Sequence, residues 1–232
     1  MAEKPAILRC SSLGAVPHGF CEVIKDERQP DPAWLVPGGH LVLLNQVHSG
    51  DAICVDAPLP ESDRPQVDGM ATATPGLVLG IVTADCAPVL FNDRNAGVIG
   101  AAHAGWRGAI GGVLEATIAK MEALGASRDN ISACIGPAIA QASYEVDEAF
   151  RAKFVQQDSK NALFFGAGKE GHFHFDLPAF VARQLANAGI AKIHDLAEDT
   201  YSQSARFHSF RRATHRGEPT YGRQFSIIGL PK

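Results

Sequence analysis

A chain of 232 residues that is 46% hydrophobic can bury a substantial core, in one large domain or two small ones. A formal net charge of -4 and a pI near 6.1 exclude a global basic field for nucleic acid or an acidic membrane face. No apolar run reaches the roughly 18 residues of a membrane span, the N-terminus lacks the apolar core of a signal peptide, and five scattered cysteines without a C-x-x-C pair suit neither a disulfide framework nor a zinc knuckle. A cytoplasmic chain is expected.

Pro5, Pro17, Pro30, Pro32 and Pro37 interrupt residues 1–40, and DERQPDP over 26–32 predicts an exposed turn. Strand patterns over 41–44 and 52–55 flank Gln46-Val47-His48-Ser49-Gly50. A polar, Pro/Gly-rich connection over 62–76 carries Asp68 near its middle. Two short apolar runs follow, LVLGIV over 77–82 and GVIGAA over 97–102, and both read as buried strands. The first leads into Thr83-Ala84-Asp85-Cys86, the second into His103-Ala104-Gly105-Trp106-Arg107-Gly108. Then the period changes. Ile110, Val113, Leu114, Thr117, Ile118, Met121 and Leu124 share one helical face, and Gly125 is placed to end it. A strand is predicted over 131–135, helices over 147–157 and 176–188, and strands over 191–196 and 225–230. Asp176 is the expected N-cap of the second helix and Gly189 its stop. The stretch 209–224, with Arg211, Arg212, Arg216 and Arg223, reads either as a solvated surface loop or as a Gly/Pro-rich loop able to grip phosphate by forked donors. With no repeat and no low-complexity linker, one domain over 1–232 is the economical reading.

Cys86 and His103 each sit where an apolar strand gives way to polar residues, ahead of Pro88 and Gly105 as chain-reversing residues. His48, ahead of Ser49-Gly50, repeats the design. Two imidazoles and one thiolate make the three-ligand set of a catalytic zinc site with an open fourth position, able to activate water. Asp85 and Asp68 are candidate partners of the ligands or proton carriers, or solvated loop carboxylates. A multicopper oxidase needs several His-x-His pairs, and only His172-Phe173-His174 has that spacing. A cysteine-nucleophile reading keeps Cys86 and His103 but leaves His48 without a role. Glycines 105, 108, 111 and 112 crowd the start of the helix beside Arg107. Either they expose backbone N–H groups to an anion, or they let the helix pack closely on the sheet.

The motifs NQVHSG (45–50), TADCAPVL (83–90), HAGWRG (103–108), IGPAI with YEV (135–139, 144–146) and SFRR with GRQ (209–212, 222–224) come in this order. Together, over about residues 41–230, they closely resemble the bacterial laccase-domain family. Its members carry the labels polyphenol oxidase, peptidoglycan editing factor, and purine nucleoside phosphorylase with adenosine deaminase activity. The resemblance implies an α+β domain with mixed β-sheets sandwiched between helices (α/β/β/α). It implies a metal, zinc ahead of copper, on His48, Cys86 and His103. The implied reactions are phosphorolysis of adenosine, inosine, guanosine and methylthioadenosine, and deamination of adenosine through metal-activated water. The same three ligands and Asp85 would be catalytic, and Arg107, Arg211, Arg212 and Asp68 would bind nucleoside and phosphate. The expected partners are thus small molecules, with no nucleic acid and no membrane. The alternative is a cysteine hydrolase or amidase that edits peptidoglycan precursors; a third reading is a non-catalytic module with a structural metal. Two departures stand out: residues 18–31 match poorly the family's glycine-rich, arginine-bearing opening, and Asp199-Thr200-Tyr201 replaces a frequent Cys-Thr-Tyr.

Overall fold

A computed structural model describes residues 5–24 and 29–232, so residues 26–28 of the expected turn lie outside the described residues. The strands before the first helix are β1 (Ile7–Leu8), β2 (His18–Cys21), β3 (His40–Val42), β4 (Ala52–Cys54), β5 (Gly69–Thr72), β6 (Leu77–Thr83), β7 (Ala87–Asp93) and β8 (Val98–Ala104). Then come α1 (Trp106–Gly111), α2 (Val113–Ala123), β9 (Ser132–Ile135), β10 (Glu145–Asp147) and α3 (Glu148–Gln157). The chain continues with β11 (Phe165–Ala167), β12 (His172–Phe175), α4 (Leu177–Asn187), β13 (Lys192–Asp195), α5 (Phe210–Arg216) and β14 (Gln224–Gly229).

Two mixed sheets carry the architecture. One runs β1-β2-β14-β6-β3, with β3 parallel to β6 and the other pairs antiparallel. The other runs β13-β9-β7-β8-β5-β4, with parallel pairs only at its two edges. A third, small sheet, β10-β12-β11, is antiparallel. Strand alternation sorts the apolar side chains into layers. Leu77, Leu79 and Ile81 of β6 meet Met70, Leu90 and Ile99 from the second sheet in a shared core. On the far side of that second sheet, Val98, Ala102 and Ala104 pack with Leu114, Ile118 and Met121 of α2 and Phe180, Val181 and Leu185 of α4. The outer face of the first sheet, with Val78 and Ile227, draws on Ile24, Trp34, Leu35 and Val36 rather than on an α-helix. The molecule is thus a mixed α/β structure, layered helix, sheet, sheet and irregular cover.

Several local expectations change. The single helix over 110–124 breaks at Gly112, whose φ of +95° no β-carbon favours, giving α1 and α2. Pro88 does not reverse the chain: it lies in β7 opposite His103. Its carbonyl still accepts from Gly136 N at 2.8 Å, while the position near the strand start tolerates the missing N–H. The polar connection over 62–76 contains β5, whose four residues are all buried. The arginine-bearing stretch is partly helical: the Ser209 side chain caps α5 by accepting from Arg212 N, and Gly217 ends it with φ +66°. Among the described residues no helix is long and apolar enough to cross a membrane.

Candidate metal centre

His48, Cys86 and His103 converge, each offering a donor atom within 4.8 Å of the others. Three segments deliver them. His103 is the penultimate residue of β8, Cys86 lies in the connection from β6 to β7, and His48 stands in the loop from β3 to β4. That loop is clasped to β6 by Gln46, whose amide donates to Val82 O at 2.7 Å and accepts from Val82 N at 2.9 Å. Among the described residues, two of the three non-glycine residues with positive φ are His48 (63°) and Asp85 (83°). Such backbone costs energy, and here it aims one ligand and the residue before another. Gly105 supplies the space: a β-carbon there would stand 2.8 Å from Cys86 Sγ and 3.0 Å from His48 Cδ2.

One buried carboxylate orients two of the three candidate ligands. Asp68, fully shielded from solvent, accepts from His103 Nδ1 at 2.7 Å and from the backbone N–H groups of Val47, His48 and Ser49 at 3.1, 3.0 and 2.7 Å. The Ser49 hydroxyl donates to it as well, at 3.0 Å. With Nδ1 engaged, Nε2 of His103 is the nitrogen left to hold a metal. Burial alone would raise the Asp68 carboxyl, but His103 and Ser49 hold it at about 2. Burial likewise opposes charge on His103, yet Asp68 and Cys86 push it up to about 9. Burial also raises the Cys86 thiol, and His103 and His48 outweigh that, bringing it down to about 7. A thiol so readily ionised, beside two imidazoles held in place by packing and by a carboxylate, fits a divalent metal of the zinc type.

Two cavities meet at this cluster. The larger, about 1090 Å³, is lined by His48, Cys86 and His103, with Arg64, Arg107 and Arg223 among its walls. The smaller, about 550 Å³, shares His48, Cys86 and Arg107 and adds Trp106, Tyr144, Phe150 and Arg211. Phe210 lines both. Arg107 stacks on Trp106 at 4.4 Å and Arg223 lies over Tyr221 at 5.7 Å.

The remaining sequence candidates take varied places. Asp85 is buried and accepts from the Thr200 and Ser209 hydroxyls at 2.6 and 3.0 Å and from Arg211 N at 2.7 Å, so its carboxylate ties the start of α5 to the cysteine segment rather than standing free to carry a proton. Asp68 faces inward and lines neither cavity, which differs from the expected contact with substrate. Arg211 lines the smaller cavity over Tyr144, with one arm on the Glu145 carbonyl at 2.7 Å. Arg212 departs furthest from expectation: its guanidinium donates to the carbonyls of Thr200, Tyr201 and Phe207, and it lines neither cavity. A fork that matches phosphate matches converging carbonyls equally well. Of the two accounts of the glycines, close packing has the contacts, since a β-carbon on Gly108 would stand 2.9 Å from Ser49 O. Gln46, Phe210 and Tyr221 were not singled out as site residues from the sequence, whereas Arg223, one of the C-terminal arginines named there, lines the larger cavity. The NQVHSG motif that holds Gln46 was the available signal.

The family described as multi-copper polyphenol oxidoreductase laccase matches residues 22–231. The chain belongs to this family. The match begins inside the N-terminal segment that the motif reading set apart. A purine nucleoside phosphorylase of Rickettsia conorii is 42% identical over 77% of this chain and 73% of its own length. A purine nucleoside phosphorylase of Deinococcus radiodurans is 38% identical over 82% and 70%. Among solved structures, YlmD from Geobacillus stearothermophilus superposes with a TM-score of 0.83 at 27% identity, covering 100% of this chain and 98% of that one. Neisseria meningitidis NMB0706 gives 0.74 at 33%, covering 84% and 76%.

Proposed function

We propose that this laccase-domain chain is a zinc-dependent purine nucleoside phosphorylase that also deaminates adenosine. The observation that carries the reading is the His48-Cys86-His103 cluster, which lines the larger cavity and through His48 and Cys86 the smaller one, together with the names of its relatives. A metal bound there would supply Lewis acidity to a substrate or water oxygen. The chain's own groups do the rest. Arg107 and Arg223 face the larger cavity with ring faces beneath them, and neither forms an ion pair among the described residues, so both are free to hold inorganic phosphate for attack on the ribose anomeric carbon. The smaller cavity, with Trp106, Tyr144 and Phe150 in its wall, suits an apolar base. Burial raises Tyr144 above the ordinary phenol range, so its hydroxyl stays protonated as a hydrogen-bond donor. Copper oxidase chemistry is not favoured. The His-Cys-His set is the one group of three or more such donors among the described residues, and a trinuclear cluster needs more.

One observation favours a second reading, the cysteine hydrolase: the Cys86 thiol titrates near 7 beside a histidine oriented by Asp68. A single assay separates the two. Zinc-loaded, chelator-stripped and Cys86→Ala proteins are given adenosine with and without phosphate, and inosine, adenine and ribose 1-phosphate are followed. Metal-dependent inosine, with adenine only when phosphate is present, supports the proposal. Absence of product from zinc-loaded protein in every condition refutes it and leaves the hydrolase.

A further inference from the structure

Phe210 is out of place by ordinary burial rules. It is 50% exposed, beside Tyr221 at 39%, and these are two of the four large hydrophobic residues exposed among the described residues. Their rings meet edge to face at 5.0 Å, and both line the larger cavity. Phe210 alone of the two also lines the smaller one. Phe210 thus presents an exposed apolar ring at the junction of two cavities that share His48 and Cys86.

The backbone around Phe210 is held to match. Its neighbours Ser209 and Arg211 both bond to the Asp85 carboxylate, through the Ser209 hydroxyl at 3.0 Å and the Arg211 N–H at 2.7 Å. Thr200 closes the same carboxylate from the other side at 2.6 Å. Asp85 precedes Cys86 directly, and its carbonyl accepts from Ile139 N at 2.9 Å. The start of α5 is therefore fastened, through one buried side chain, to the residue adjoining the ligand cysteine. That is a large outlay of buried hydrogen bonds for a short surface helix whose first side chain is half in solvent.

We propose that Phe210 is the stacking face for the flat heteroaromatic base of the substrate, and that Asp85 is a positioning residue that sets its distance from the metal centre. This rests on the nucleoside reading above and adds to it which residue grips the base and why Asp85 is buried. Stacking tolerates any purine, since every base presents a π-face, so Phe210 contributes affinity for the class while polar contacts choose among its members.

The test is equilibrium binding of inosine to zinc-loaded protein by calorimetry, without phosphate so that no phosphorolysis occurs, alongside steady-state phosphorolysis and metal content. Phe210→Ala is expected to weaken inosine about tenfold, in the range of one lost base stack, and to raise the nucleoside KM with little change in the phosphate KM. Phe210→Tyr restores binding. Asp85→Asn, which keeps a residue tolerant of left-handed backbone, weakens inosine in the same sense, and combining it with Phe210→Ala adds less than the sum. All variants retain metal. Inosine binding by Phe210→Ala within twofold of wild type overturns the proposal even if phosphorolysis is found. Phe210-dependent inosine binding without any phosphorolysis sustains it and refutes the proposed reaction. Wild-type protein that binds no inosine overturns both.

Discussion

Cys86, His103 and Asp68 form a chain of dependence in which each group's charge state rests on the next. Cys86→Ala or His103→Ala should abolish both bound metal and nucleoside turnover, read by elemental analysis and product assay; unchanged metal in both variants would refute the ligand assignment. Asp68→Asn keeps the shape but removes the charge that orients His103, so metal affinity should fall ~10–100-fold in a chelator competition. The same carboxylate makes a pH prediction. Its folded value, about 2, lies below the ordinary 3.8. The stability it contributes is therefore complete above 3.8 and is lost as pH falls through 2, amounting to about 2 kcal/mol. Thermal melts of metal-free protein from pH 5 to 2 should fall more steeply for wild type than for Asp68→Asn.

At the scale of elements, the centre depends on how closely α1 approaches the loop that bears His48. Gly50 lies against Gly111, where an added β-carbon would stand 2.1 Å from the Gly111 carbonyl oxygen. Gly105 occupies the N-cap of α1 with Cys86 Sγ and His48 Cδ2 in the place of its missing side chain. The two positions should respond differently. Gly105→Ala displaces ligands, so it should cut metal affinity by more than tenfold with a small change in melting temperature. Gly50→Ala meets unyielding backbone and should destabilise the fold by about 1–3 kcal/mol in urea titration. The helical elements were largely legible because their signals are local: Asp176 accepts from Ala179 N, and Gly125 and Gly189 carry φ of 99° and 87°. β5, β7 and α5 were misread for the opposite reason. GMAT is too short and mixed to show a period, Pro88 suggests a turn, and the FRRATHR helix is polar because it buries only Ala213.

For the whole molecule, the join between the two large sheets sets the frame on which the three ligands converge. Phe20 of β2, 1% exposed, lies where a β-carbon on Gly136 would stand 2.1 Å from its ring, so the two sheets interlock at that point. Phe20→Ala should cost about 3–5 kcal/mol of stability, measured as a lower urea midpoint at unchanged slope. A small change in midpoint would mean that the intersheet core does not depend on this contact.

The sequence by itself determined the α+β class and, through its ordered motifs, the family; it also named His48, Cys86 and His103 as candidate ligands, because each lies at a visible switch from apolar strand to polar motif, and these three do converge. Only the tertiary structure decided what the supporting charges do. Asp85 binds partners 115, 124 and 126 residues away, and Asp68 reaches His103 across 35 residues. A carboxylate in a loop looks the same in sequence whether it ends in solvent or in a buried network. The same holds for Arg212, whose acceptors are backbone carbonyls that no residue type announces, and for Phe210, whose exposure follows from where two cavities meet. Local pattern encodes which residues can bind a metal; long-range packing assigns every other group its partner.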